Sequence, residues 1–97
     1  METLHFEYKA YEVLARRAHV GVVGSGDLEV LIEPSSEPKS LVRVRTSVDG
    51  YEKVWRAVLD RFFSRFHAAA RIEINDFGAT PGTVALRLEQ AAELLQA

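Results

Sequence analysis

Ninety-seven residues, 47% hydrophobic and 27% charged, make one domain of ordinary globular composition with room for a modest core. The formal net charge of −2, with Lys and Arg scattered among Asp and Glu, argues against a phosphate backbone as partner, so no nucleic acid is expected. Cysteine is absent, which removes disulfides, thiolate nucleophiles and Cys-based zinc sites. The apolar runs are too short for a membrane span, and no charged leader with an apolar segment opens the chain, so a cytoplasmic protein is expected.

In chain order, Leu4–Tyr8 alternates apolar and polar residues and predicts a strand. Residues 9–17 have helix-friendly composition but are too short to assign. His19–Gly24 and Leu28–Glu33 flank Gly24-Ser25-Gly26-Asp27 and predict a β-hairpin with Leu28, Val30 and Ile32 on one face. "PSSEPKS" is a surface loop. Leu41–Val48 predicts another strand, with Val42, Val44, Thr46 and Val48 inward and Arg43, Arg45 and Ser47 outward.

The clearest helix follows, because Tyr51, Val54, Trp55, Val58, Leu59, Phe62, Phe63 and Phe66 recur at steps of three and four. Ser47 or Asp49 is its expected N-cap. Arg71–Asn75 alternates as a strand. In "DFGATPGT", Thr80 predicts an N-cap and Pro81 the first position of a second helix, whose face carries Val84, Leu88, Ala91, Ala92 and Leu95. The expected fold is α+β and two-layered: a small antiparallel or mixed sheet of about four to five strands, with two main helices on one face.

Few residues carry evident chemistry. His5, His19 and His67 lie far apart without metal-ligand spacing, and no metal site is expected. Arg43 and Arg45 are suited to a ladder with Glu29 and Glu33 on the solvated face, or to ligand phosphates. Asp76 has no acidic or histidine partner nearby in sequence and reads as a turn or capping residue. Trp55 and the phenylalanines have core spacing, with a surface role at a partner interface for one or two of them.

Around Ser25, the third glycine of a dinucleotide fingerprint is replaced by Glu29, no P-loop lysine is present, and Val23 and Asp27 occupy the glycine positions of a nucleophile elbow. That leaves a plain turn serine or a mounting point. A hairpin apex projects its side chain outward, the flanking glycines obstruct nothing, and a bulky phosphodiester there costs the fold little.

"VGVVGSGDLEVLIEP" and "IEINDFGATPGTVALRLEQA" resemble the acyl carrier, or delta, subunit of biotin-independent malonate decarboxylases of bacteria. The likeness opens with "METLHFEY" and is most specific over Val20–Pro34 and Asp76–Gln90. It implies a non-catalytic carrier whose Ser25 holds 2′-(5″-phosphoribosyl)-3′-dephospho-CoA, with no catalytic residue of its own. The implied thiol exchanges acetyl for malonyl and presents the malonyl thioester for decarboxylation, so the working sulfur belongs to the cofactor. Implied partners are the acyl transferase (alpha) and decarboxylase (beta, gamma) subunits, a prosthetic-group transferase and a malonyl-acyl transferase. The carrier of citrate lyase is the nearer relative among other carriers and the alternative reading; a non-carrier interaction domain is another. The common helical acyl carrier protein, with Asp-Ser-Leu at a helix start, is not matched.

Overall fold

The computed structural model describes residues 1–96. Five strands, β1 (Glu2–Lys9), β2 (Ala18–Gly21), β3 (Leu28–Pro34), β4 (Lys39–Thr46) and β5 (Ala70–Asp76), form one sheet in the order β1-β4-β5-β3-β2. The helices are α1 (Glu52–Phe63), between β4 and β5, and α2 (Pro81–Gln96), after β5. Strands β4 and β5 pair in parallel and every other pair is antiparallel. A parallel pair needs a crossover, which α1 supplies. The result is the expected α+β class, with a mixed sheet.

Period-two patterning explains which face is covered. Leu4, Val44, Ile74, Val30 and Val20 stand in one row across all five strands, as do Phe6, Val42, Ile72, Ile32 and Ala18 in the next. These residues share one hydrophobic cluster with Trp55, Leu59, Phe62 and Phe63 of α1 and Val84, Leu88 and Ala91 of α2. Leu28, Val30, Val44, Leu59, Ile74 and Leu88 are fully shielded from water. Burial of each such side chain is worth roughly 1.5–3 kcal/mol. Tyr8 stacks on Phe63 with ring centroids 4.1 Å apart and donates from Oη to Asp60 Oδ1 at 2.6 Å, fastening edge strand β1 to α1. Burial, reinforced by the Asp60 carboxylate, raises the Tyr8 phenol well above its ordinary range.

Several local expectations need correction. Strand β2 ends at Gly21, not Gly24, and Val22 and Val23 are exposed. Gly21 has φ +86°, and a Cβ there would lie 2.0 Å from the Leu28 carbonyl oxygen, so only glycine permits this close approach. Strand β4 ends at Thr46, and Val48 points partly into solvent instead of inward. The cause is local: Val48 N donates to Thr46 Oγ1 at 3.1 Å and Ser47 N to the Asp76 carbonyl at 3.1 Å, turning the chain out of the sheet.

Neither Ser47 nor Asp49 caps α1; the N-cap position is Tyr51, which makes no side-chain capping bond. Asp49 instead faces the N-terminal amine at 3.8 Å, and Gly50, at φ +86°, swings the chain between it and the helix. The other cap is as expected: Thr83 N donates to Thr80 Oγ1 at 3.2 Å, and Pro81 opens α2. Residues 10–17 form no helix. Tyr11 and Glu12 lie beside the segment before β5, where Tyr11 N donates to His67 O at 2.9 Å and Ala69 N to Glu12 O at 2.8 Å.

The second face of the sheet is open, and there the arginine ladder is not the one expected. Strand β5 separates β4 from β3, so Arg43 stands beside Glu73 and is ion-paired with it, not with Glu29 or Glu33. Glu29 accepts from Asn75 Nδ2 at 3.0 Å and sits 3.0 Å from His19 Nε2; Glu33 lies 3.8 Å from Arg17. Arg45 stands opposite Asn75 and Thr3. No helix among the described residues is long and apolar enough to cross a membrane.

Candidate functional site

Ser25 lies at the exposed apex of the β2–β3 hairpin. Asp27 N donates to Gly24 O at 3.1 Å, closing a four-residue turn. Among the described residues no non-glycine residue has positive φ, while Gly26 has φ +75°. Positive φ at the third residue alone is the pattern of a type II turn, which calls for glycine there and leaves Ser25 at the second position, pointing away from the strands. A Cβ added at Gly26 would meet nothing within 4 Å, so the space beside the serine is open.

The turn is exposed but not loose. Gly26 N donates to Phe77 O at 2.7 Å, and Phe77 N donates back to Asp27 O at 3.0 Å. These two bonds extend the β3–β5 pairing one step beyond the strands and tie the hairpin apex to the loop that precedes α2. A second anchor comes from α2 itself: Arg87 Nε donates to Asp27 Oδ1 at 3.1 Å and Arg87 Nη2 to Asp27 Oδ2 at 2.7 Å. This two-pronged geometry is the most directional form of ion pair. Asp27 Oδ1 also accepts from Leu28 N at 2.7 Å, and Arg87 Nη1 donates to Gln90 Oε1 at 3.0 Å. The Arg87 hydrogen bonds, followed by that of Leu28, hold the Asp27 carboxyl below its ordinary value, and Asp27 in turn raises Arg87.

All of these contacts run through Gly24, Gly26, Asp27 and Phe77; the Ser25 side chain is not used to build them. The structure brings together the two stretches singled out in the sequence, Val20–Pro34 and Asp76–Gln90. Arg87 and Phe77 had no separate signal there. An arginine beside the apolar positions Val84 and Leu88 was the available hint, but the acid it meets is sixty residues away.

The remaining sequence candidates stay apart. Asp76 is buried and caps its own loop, accepting from Thr46 Oγ1 at 2.8 Å and from Ala79 N at 3.0 Å, the turn role expected of it. His5 and His19 lie on the open sheet face, and His67 lies in the loop before β5, beside Tyr11. No group of three or more His, Asp or Glu side chains among the described residues is arranged to hold a metal ion.

The chain as a whole has close counterparts among known proteins. Residues 15–95 match the family model described as ACP: Malonate decarboxylase delta subunit (MdcD). The chain is 52% identical over 94 residues to the malonate decarboxylase acyl carrier protein of Stutzerimonas stutzeri, covering 96% of this chain and 95% of that protein. It is 53% identical to the counterpart from Pseudomonas savastanoi pv. phaseolicola over the same shares of each chain. A chain in the crystal structure of a Pseudomonas malonate decarboxylase hetero-tetramer in complex with malonate superposes with a TM-score of 0.93 at 50% identity, covering 98% of this chain and 99% of that one. The class is thus that of the acyl carrier subunits. Within it, the chain belongs to the malonate decarboxylase delta-subunit family.

Proposed function

We propose that residues 1–97 are a single acyl-carrier domain that carries acetyl and malonyl groups for a malonate decarboxylase on a prosthetic group joined through a phosphodiester to Ser25. The observation that carries this reading is the exposed Ser25 between two glycines on a turn held from both sides. The group that the family implies is 2′-(5″-phosphoribosyl)-3′-dephospho-CoA, and the open space beside Gly26 suits so large a substituent. When bound, it supplies a terminal thiol that holds acyl groups as thioesters.

Each residue of the turn then has a task. Ser25 Oγ provides the point of attachment, and Gly24 and Gly26 leave a transferase unobstructed access. The Asp27–Arg87 pair and the Gly26–Phe77 bonds keep the root of the arm fixed relative to the sheet, so that its reach is set by the arm. A tethered acyl group meets the next active site at high effective concentration without entering bulk solution. The chain itself is a non-catalytic subunit in the cytoplasm. Its partners are the acyl transferase (alpha) and decarboxylase (beta, gamma) subunits, the prosthetic-group transferase and a malonyl-acyl transferase.

Intact-protein mass spectrometry tests the attachment. Wild-type chain made together with its attachment enzymes gains the mass of the prosthetic group, and Ser25→Ala does not. A Ser25→Ala chain that gains the same mass would place the group elsewhere.

A further inference from the structure

Beside the Ser25 turn the structure has a cleft of about 290 Å³ between the N-terminal halves of α1 and α2. Val48, Tyr51, Val54, Trp55, Val58 and Val84 line it. Its apolar surface is unusually open to water: Tyr51 is 51% exposed, and Val48 and Val54 are each 38% exposed, although all three sit among residues that otherwise face the core. Gly78 is also on its wall, and a Cβ built there would stand 4.0 Å from the backbone nitrogen of Gly26. The cleft therefore adjoins the turn, one residue away from the serine.

Its size limits what it takes. Small-molecule pockets run from about 300 to 1,000 Å³, so this one holds a single ring system and not a whole nucleotide-linked arm. Most of its wall is aliphatic and aromatic, with Thr46, Asp76 and Thr80 adding polar edges, which suits a flat ring that carries polar atoms. In a phosphoribosyl-dephospho-CoA group the one aromatic ring is the adenine, which belongs to the half of the group nearer the serine, while the thiol is at the far end.

We propose that this cleft seats the adenine of the Ser25-linked group, anchoring the near half of the arm while the thiol end swings. The inference rests on the carrier reading above. Because the ring is tethered, even a weak contact is populated, for the high local concentration stands in for affinity. Seating the adenine shortens the moving part of the arm and narrows the arc that its thiol searches.

The test uses isotope-labelled full-length chain loaded by its transferase, with intact mass measured on the same sample. Nuclear Overhauser contacts are expected from the adenine H2 and H8 protons to the Val54 methyls and the Trp55 ring, with amide shifts over residues 54–58 and 78–84. In Val54→Glu, a change at a partly exposed site, those contacts and shifts are lost while the amides of Gly24–Asp27 stay shifted. Loaded chain whose shifts are confined to Gly24–Asp27, or whose cleft meets the pantetheine methyls instead of the adenine, overturns the inference and leaves the carrier reading standing. A chain that the transferase leaves unmodified overturns both.

Discussion

The β2–β3 and β3–β4 loops each offer a serine to solvent, and they are built differently. The β2–β3 turn puts Ser25 between glycines and braces it with contacts from Phe77 and Arg87, distant in sequence. The β3–β4 loop puts Ser35 and Ser36 among Pro34, Glu37 and Pro38, and Ser35 Oγ is engaged in accepting from Glu37 N at 3.2 Å. Exposure alone does not distinguish the two. What differs is the bulk beside the hydroxyl and the work it already does: one serine stabilises its own loop, whereas the other stands on a turn stabilised by its neighbours.

Substitutions should separate the loops sharply. Ser25→Ala should abolish prosthetic loading and with it malonate decarboxylation by the assembled complex, while leaving the circular dichroism spectrum and Tm unchanged. Gly21→Ala comes next. It forces a side chain into the Leu28 carbonyl at positive φ, and should destabilise the chain by more than the roughly 1–2 kcal/mol that left-handed backbone alone costs an L-residue. Chemical denaturation measures it.

Arg87→Met should have a milder effect, removing both prongs on Asp27 but sparing the backbone bonds to Phe77. Amide exchange at Ser25 and Gly26 should rise and loading should slow without stopping. The same pair has an acid signature. The folded-state carboxyl of Asp27 titrates below its ordinary value of 3.8, so its contribution is present above that pH and is lost as the pH falls through the depressed folded value. Asp27→Asn should therefore lower Tm near neutrality and show a smaller further loss than wild type below about pH 4. The smallest effect belongs to the other loop: Ser35→Ala should change stability by no more than about 0.5–1.5 kcal/mol, the worth of one exposed hydrogen bond, and leave loading untouched.

Most of the elements were legible because alternation and helical spacing report which side of an element is buried. Val42 and Val44 pointed inward, and Thr80 and Pro81 marked the start of α2, through chemistry local to each residue. Period says nothing about which strand lies alongside. From sequence Arg43 therefore reads as a partner of the acids of β3, whereas the crossover through α1 places β5 and its Glu73 in between. Tertiary bonds also override local composition at Tyr11 and Glu12, which His67 and Ala69 tie to the segment before β5. The apex of the site was readable from Gly-Ser-Gly-Asp, but its bracing was not, since Asp27 and Arg87 meet only after the whole sheet has formed.

Peptide mapping of the chain taken from an active complex tests the central claim most directly. Cleavage after Arg17 and Lys39 releases Ala18–Lys39, a single fragment that carries Ser25, Ser35 and Ser36 together. Fragment ions should place the whole added mass on Ser25 and leave Ser35 and Ser36 bare. The same mass on Ser35 or Ser36, or an unmodified Ala18–Lys39 from fully active complex, would contradict it.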